Sequence, residues 1–427
     1  MKQRKMYLLP MLLITVVAIT LSSIGSAAGP VQIDFWGGWT GPDRDVMKSF
    51  VDRFNSSNPN INVNLMTLQW TPLFSKFMME ERGGNPPQIL AMHPFEIGQF
   101  ASFKVLDPKP VKNIKLKKVD YPDAVWQGTI YQNVQYAVPL DYHMHGLFYN
   151  KELFQKAGIS NPPSNKEELI KIGQKLTIDK NGKNASEAGF DPQNVVQYGL
   201  GMLTNHHAFY QWYALMAQQG EIPCNEKMKK TTFNNEKAIK AWSFLQDLVF
   251  KYSIVPKGEK APIDDFKAGK VAMLIDGAWQ LPGLEQTDMK YGVAPYPQIF
   301  QKKAVWGAGT VLTFPVNKNS TPEKQKAAAA FVKWLCDNSG EWVKSGSIPS
   351  KLSTIDEVKK YSGREAFLTM SGYFVMLPSL PKATQVFSAV APSPILTAAQ
   401  DILLNNKPAA QVVPQLKKDM DAILATP

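Results

Sequence analysis

Apolar positions along the chain alternate between two rhythms. Residues 31–36 read as a buried strand, Val46, Met47, Phe50, Val51 and Phe54 then recur at helical spacing, and Ile61, Val63 and Leu65 alternate as in a half-buried strand. Strand, helix and strand in that order make a parallel crossover, which opens an α/β layered unit. A helix at 71–81, a strand at 88–92 and the stretch 131–140 continue the alternation. At Pro139 it restarts, with a strand at 143–149, a helix at 151–157 and a helix start at 162–167. There Ser164 and Glu167 have the spacing of a capping box, in which each side chain takes a backbone donor left free by the first turn. Helices at 206–219, 236–252 and 262–268 lead into a strand at 271–275. Strands are expected again at 291–294 and 308–314, and the remainder reads as almost wholly helical. In the tail, Val413, Leu416, Met420 and Leu424 form one apolar stripe that must pack on a core.

A length of 427 residues is more than one core usually fills, so two lobes are expected, with no internal repeat and no long linker between them. An apolar share of 44% and a charged share of 19% set aside disorder, collagen-like repeats and a multispanning membrane protein. The first 28 residues stand apart, with Lys2, Arg4 and Lys5, an apolar run at 6–21 and small residues ending in Ser26-Ala27-Ala28. That is the layout of a signal peptide cleaved after Ala28, and the run is short for a transmembrane anchor. No cysteine follows it, so a lipid anchor is not expected and the mature chain should be free in a Gram-negative periplasm or secreted. Losing Lys2, Arg4 and Lys5 lowers the formal charge of +11 by three, to +8, spread along the chain, which implies no nucleic-acid partner. Cys224 and Cys336 are too few for a disulfide framework, and spacing leaves their pairing open.

Catalytic templates are missing: there is no His-Glu-x-x-His, no Gly-x-Ser-x-Gly, and neither Gly182-Lys183 nor Gly269-Lys270 completes a phosphate loop. The separation of two glycosidase carboxylates is a spatial quantity, so a secreted carbohydrate-active enzyme remains an alternative. His143 and His145 face one side of a strand and, with His206 and His207, have metal-binding chemistry, but no acidic neighbour completes the set. No metal and no cofactor are assigned. What remains is tryptophan at strand ends: Trp36, Trp39, Trp70, Trp279 after Asp276-Gly277, and Trp306 before Gly307-Ala308-Gly309. Trp242 and Trp334 lie on periodic helix faces and read as packing. In open α/β sheets the ligand crevice lies at the carboxyl ends of the strands, so the loop Gly37-Gly38-Trp39-Thr40-Gly41-Pro42 should face it. A flat ring covers the C–H face of a sugar, while Asp, Asn, Gln and His satisfy its hydroxyls.

The run Ala137-Val138-Pro139-Leu140-Asp141-Tyr142, followed by Leu147-Phe148-Tyr149-Asn150-Lys151-Glu152-Leu153-Phe154, resembles the first crossing between lobes in extracellular solute-binding proteins of family 1, the maltose-binding type. Phe266-Lys267-Ala268-Gly269-Lys270-Val271-Ala272-Met273 with Asp276-Gly277-Ala278-Trp279 is similar to that family's second signature. Tyr291-Gly292-Val293-Ala294-Pro295-Tyr296-Pro297, then Gly307-Ala308-Gly309 and Pro315-Val316-Asn317, resembles its return crossing. The resemblance implies the two-lobe periplasmic-binding-protein fold of type II, each lobe an α/β sheet flanked by helices and joined by a hinge. Residues 29–138 with 291–340 would form lobe one, and 139–290 with 341–427 lobe two. It further implies a monomer that captures a mono- or oligosaccharide and delivers it to the permease of an ABC importer, without chemistry of its own.

By residue, Trp279 matches the family's sugar-stacking aromatic, the loop at 36–40 matches its first ligand loop, and His143 lies where the second lobe supplies a polar contact, with Asp141 adjacent. Gln69, Asp276, Gly307 and Tyr373 join the expected ligand-binding set. Trp279 and His143 are expected on one wall, with Trp36, Trp39 and Trp306 on the other. Gln88 replaces an acidic residue common among relatives, and His93 follows that strand, so an unusual specificity of lobe one is expected. The rival on the same fold is an anionic solute such as a glycerol phosphodiester or acidic sugar. It would want arginine forks, yet beyond residue 28 only Arg44, Arg53, Arg82 and Arg364 occur.

Overall fold

The computed structural model describes residues 29–224, 230–387 and 393–426; the signal-peptide expectation for 1–28 lies outside the described residues. Two sheets organise the chain. The first runs in the order Ile61–Thr67, Val31–Gly37, Ile89–Met92, Val311–Thr313 and Ala137–Pro139. Its first three strands are parallel, joined by the helices Pro42–Ser57 and Trp70–Gly83. One face packs on Met47, Phe50, Phe54 and Phe331, the other on Leu73, Phe77 and Phe100. Burial from both sides explains why Ile89–Met92 carries no polar residue.

The second sheet follows the order Phe374–Val375, Val305–Ala308, Asp141–Asn150, Val271–Gly277, Val195–Gly201 and Ile178–Asp179. Asp141–Asn150 is its hub, since Tyr291–Ala294 and Ile348–Pro349 also pair with it. The helices His206–Gln218, Asn235–Phe250 and Ala409–Ala425 pack into one core there, where Trp212 and Trp242 stack at 5.6 Å. The tail stripe Val413, Leu416, Met420 and Leu424 is buried as its spacing predicts. The result is an α/β protein of two lobes, each a sheet flanked by helices.

Several boundaries differ from the expectation. Residues 291–308 belong to the second lobe, because Tyr291–Ala294 and Val305–Ala308 both pair antiparallel with the hub strand. The loop between them is held there by buried Gln218, whose Nε2 donates to the carbonyls of Pro297 and Ala304, both at 3.0 Å, and whose Oε1 accepts the Ile299 N–H at 2.6 Å. The return crossing therefore falls at Gly309-Thr310, which also splits the single strand expected at 308–314. Trp342 still packs on the first core, and the chain rejoins the second sheet at Ile348. The capping box is shifted by one residue: Asn165 caps Lys166–Leu176 by accepting the Glu168 N–H, and Glu168 accepts the Ser164 N–H in return. Ile348–Pro349 and Phe374–Val375 interrupt the helical last quarter. Cys224 and Cys336 are buried free thiols in separate cores, so they do not pair.

Candidate functional site

A cavity of about 810 Å³ lies between the lobes, within the size range of small-molecule sites. Its first wall grows from the carboxyl ends of the strands Val31–Gly37 and Ile89–Met92. The Trp70 ring lies flat against Gly38, where a Cβ would sit 1.9 Å from it, so only glycine admits this approach. Trp39 meets Trp70 edge to face at 6.2 Å, and Trp70 meets His93 at 4.2 Å. His93 stacks on Phe95, and its N–H donates to Glu96 Oε2 at 2.9 Å.

The second wall is built on the hub strand, where Asp141, His143 and His145 share one face by the two-residue period. Asp141 Oδ1 accepts the Thr310 N–H at 2.8 Å and Oδ2 accepts Trp342 Nε1–H at 2.6 Å. Its carboxylate thus staples both later crossings to the first, while His143 Nδ1 stands 3.4 Å away. Trp279 folds back over Gly277, where a Cβ would lie 2.1 Å from the ring, and presents its edge to His143 at 5.3 Å. Trp306 stacks on Tyr210 at 3.9 Å, and its Nε1 has no hydrogen-bond partner. Beneath these rings, burial holds the His145 imidazole down at about 3, so it is neutral at physiological pH. Burial pushes the Asp276 carboxyl up to about 6, although the Gly277 N–H and Gln280 Nε2–H both donate to it.

Of the expected residues, Trp39, Thr40, Gln69, Trp70, His93, Asp141, His143, Trp279 and Trp306 line the cavity. Four do not. Trp36 points to the opposite face of its sheet, packed on Leu73 and Phe77 with Lys76 Nζ 4.9 Å from its ring, because successive strand residues alternate faces. Asp276 lies under Gln280 rather than at the surface of the cavity. Gly307 is a packing glycine, where a Cβ would meet the Phe374 ring at 2.6 Å, and Tyr373 packs half-buried on the second core. Trp306 stands on the second wall and not the first, since its strand pairs with the hub. Gln88 is used locally, accepting the Asp34 N–H at 2.7 Å.

Residues outside the expected ligand-binding set also line the site, among them Glu96, His207, Tyr210, Gln280 and Trp342. His207 and Tyr210 are three apart on one helix, a spacing that puts them on one face. The expectation that the histidines lack an acidic neighbour is overturned: donor atoms of His145, His207 and Asp276 lie within 4.8 Å of one another. The side chain of His206 lies outside the described atoms.

The family model of the bacterial extracellular solute-binding proteins matches residues 38–341. The chain belongs to that family. Members of it are substrate-binding proteins rather than enzymes. Among relatives of this solute-binding protein, the maltotriose-binding protein of Pyrococcus abyssi is 22% identical over 93% of this chain and 82% of its own. The sn-glycerol-3-phosphate-binding periplasmic protein of Pectobacterium atrosepticum is 23% identical over 93% of this chain and 87% of its own. In three dimensions, the ABC substrate-binding protein of Listeria monocytogenes in complex with cycloalternan superposes with a TM-score of 0.78 at 19% identity, covering 93% of this chain and 100% of that one. No helix among the described residues is long and apolar enough to cross a membrane.

In this solute-binding protein the lobes also touch beside the cavity. Ser379 Oγ accepts the Gly98 N–H at 2.7 Å, and Gln99 Oε1 accepts from both N and Oγ1 of Thr384 at 2.9 and 2.8 Å. Charge inside the cavity has one sign. Asp43, Glu96 and Asp141 line it, and among the described residues no lysine or arginine does.

Proposed function

We propose that the chain captures a neutral oligosaccharide between its lobes and delivers it to the permease of an ABC importer. The observation that carries this reading is a cavity walled by Trp39 and Trp70 on one side and Trp279 and Trp306 on the other, with carboxylates and, among the described residues, no lysine or arginine between them. Aromatic faces suit the C–H faces of sugar rings, and carboxylates accept hydrogen bonds from hydroxyls. An anion would meet like charge in a partly desolvated site. The glycerol-phosphate relative makes an anionic solute the second reading, and the lining charge argues against it.

Delivery requires a closed form that the importer can distinguish, and a solute biases a hinge only through its differential affinity for that form. Contacts from both walls meet that requirement, and the Gly98–Ser379 and Gln99–Thr384 bonds add to it without solute. Export through a signal peptide at 1–28, a periplasmic location, a monomeric state and the ligand roles of the lining residues belong to this same reading. Calorimetric titration with malto- and manno-oligosaccharides and with sn-glycerol-3-phosphate, at two salt concentrations, tests it. A salt-insensitive signal from a neutral oligosaccharide is expected. Binding of the phosphate alone would overturn the reading, and product formation during incubation with glycans would replace it with an enzyme.

A further inference from the structure

Below the aromatic wall lies a polar cluster that contact with a sugar does not account for. His145 is 1% exposed, its Nδ1 is 2.8 Å from Gln211 Nε2, and both its Nε2 and Gln211 Oε1 lack a hydrogen-bond partner. Asp276 is the penultimate residue of the strand that pairs with the hub, one position before Gly277, the residue opposite His145. His207 comes from the helix above, its ring stacked on His145 at 6.0 Å and 28°. One donor atom from each of the three lies within 4.8 Å of the other two.

We propose that His145, His207 and Asp276 form a three-ligand site for a divalent transition metal, zinc above all, with the fourth position open to the ligand cavity. Two imidazoles and one carboxylate are the donor chemistry of zinc rather than of calcium or magnesium. Zinc–nitrogen bonds near 2.0 Å place tetrahedral donors about 3.4 Å apart, so side-chain rotations of order 1 Å close the set. Gln211 is the positioning residue. Turned end for end, its amide brings Oε1 to accept the Nδ1–H of His145, which leaves the Nε2 lone pair for the metal. Each Asp276 oxygen accepts one hydrogen bond and keeps a lone pair. Trp306 at 4.8 Å and Trp279 at 5.7 Å from His145 shield the cluster, and His207 lines the cavity, so the fourth ligand is water or a solute hydroxyl.

This inference rests on the donor set alone and stands whether or not the solute is a sugar. The full chain, stripped with a chelator and dialysed against zinc or calcium without any solute, is analysed for metal content. One zinc per chain is expected, together with the visible absorption of tetrahedral cobalt when Co²⁺ replaces it. His207→Gln, at the cavity wall, and Asp276→Asn should each weaken zinc at least tenfold while circular dichroism shows a native fold. Gln211→Ala should weaken it about 10- to 100-fold, as loss of a partner behind a ligand does. No zinc on the unsubstituted chain, or equal zinc affinity in His207→Gln and Asp276→Asn, would overturn the site. Sugar titrations of the same variants keep this outcome separate from that of the proposed function.

Discussion

The two walls of the cavity differ in how far their polar atoms are satisfied before anything binds. On the first wall the His93 N–H and ring both face Glu96, and the aromatic rings lock one another edge to face. On the second, Trp306 Nε1 and, one layer down, His145 Nε2 and Gln211 Oε1 have no partner. Buried polar atoms without partners are rare in native proteins and call for an explanation. The first wall thus offers finished shape, while the second holds hydrogen-bonding capacity that a solute or an ion completes. Affinity should therefore fall more steeply when the second wall is altered.

Trp279→Ala is expected to have the largest effect, a loss of about 2 kcal/mol or roughly thirtyfold in calorimetric affinity, as for a central aromatic anchor. Trp70→Ala on the first wall should cost about tenfold. A larger loss from Trp70→Ala than from Trp279→Ala would reverse the ranking of the walls. Gly38→Ala should reproduce the Trp70 loss without deleting the ring, because the added methyl occupies space the indole now fills. Trp306→Phe keeps an aromatic face and removes the unpartnered N–H, so a loss of about 1 kcal/mol, near fivefold, would show that the solute uses that donor. No loss would leave Trp306 as a stacking partner for Tyr210 alone.

Much of this architecture was legible, and the parts that were not have physical causes. Period-two and period-3.6 runs located the opening strands and helices, and burial on both faces kept Ile89–Met92 visible as a short apolar run. Val195–Gly201 escaped because Gln197, Gly199 and Gly201 dilute its alternation. The lobe boundary at 290–291 rests on the resemblance of 291–297 to a return crossing, whereas Gln218, distant in sequence, ties that loop to the second core. In the site, residue type and position at strand ends point to Trp39, Trp70, Trp279 and Trp306, while Trp36 shares that position but the alternation of its strand turns it to the other face of the sheet. Asp276 was noted as a residue but not as a neighbour of the histidines, because the antiparallel register that joins them is a tertiary fact.

The smallest effects should come from two thiols that report on the lobes separately. Cys336 sits in the first core with its Sγ 3.7 Å from the Pro139 carbonyl, and Cys224 in the second. Burial pushes both up to about 12, against about 8.5 for an exposed thiol. Each folded pKa is raised, so the fold favours the neutral thiol. That contribution to stability is whole below about pH 8.5 and is lost as pH rises toward 12. At pH 8 a native thiol is ionised about once in ten thousand, against roughly a quarter of the time when unfolded, so a thiol reagent should label each cysteine only when its lobe opens. Cys224→Ser and Cys336→Ser isolate the two signals, which are read as labelling rates with and without solute. If the second wall holds most of the solute's contacts, Cys224 should be protected a few-fold more than Cys336. Equal protection would mean that the lobes open as one cooperative unit, and the contrast between the walls would then concern binding chemistry alone and not local stability.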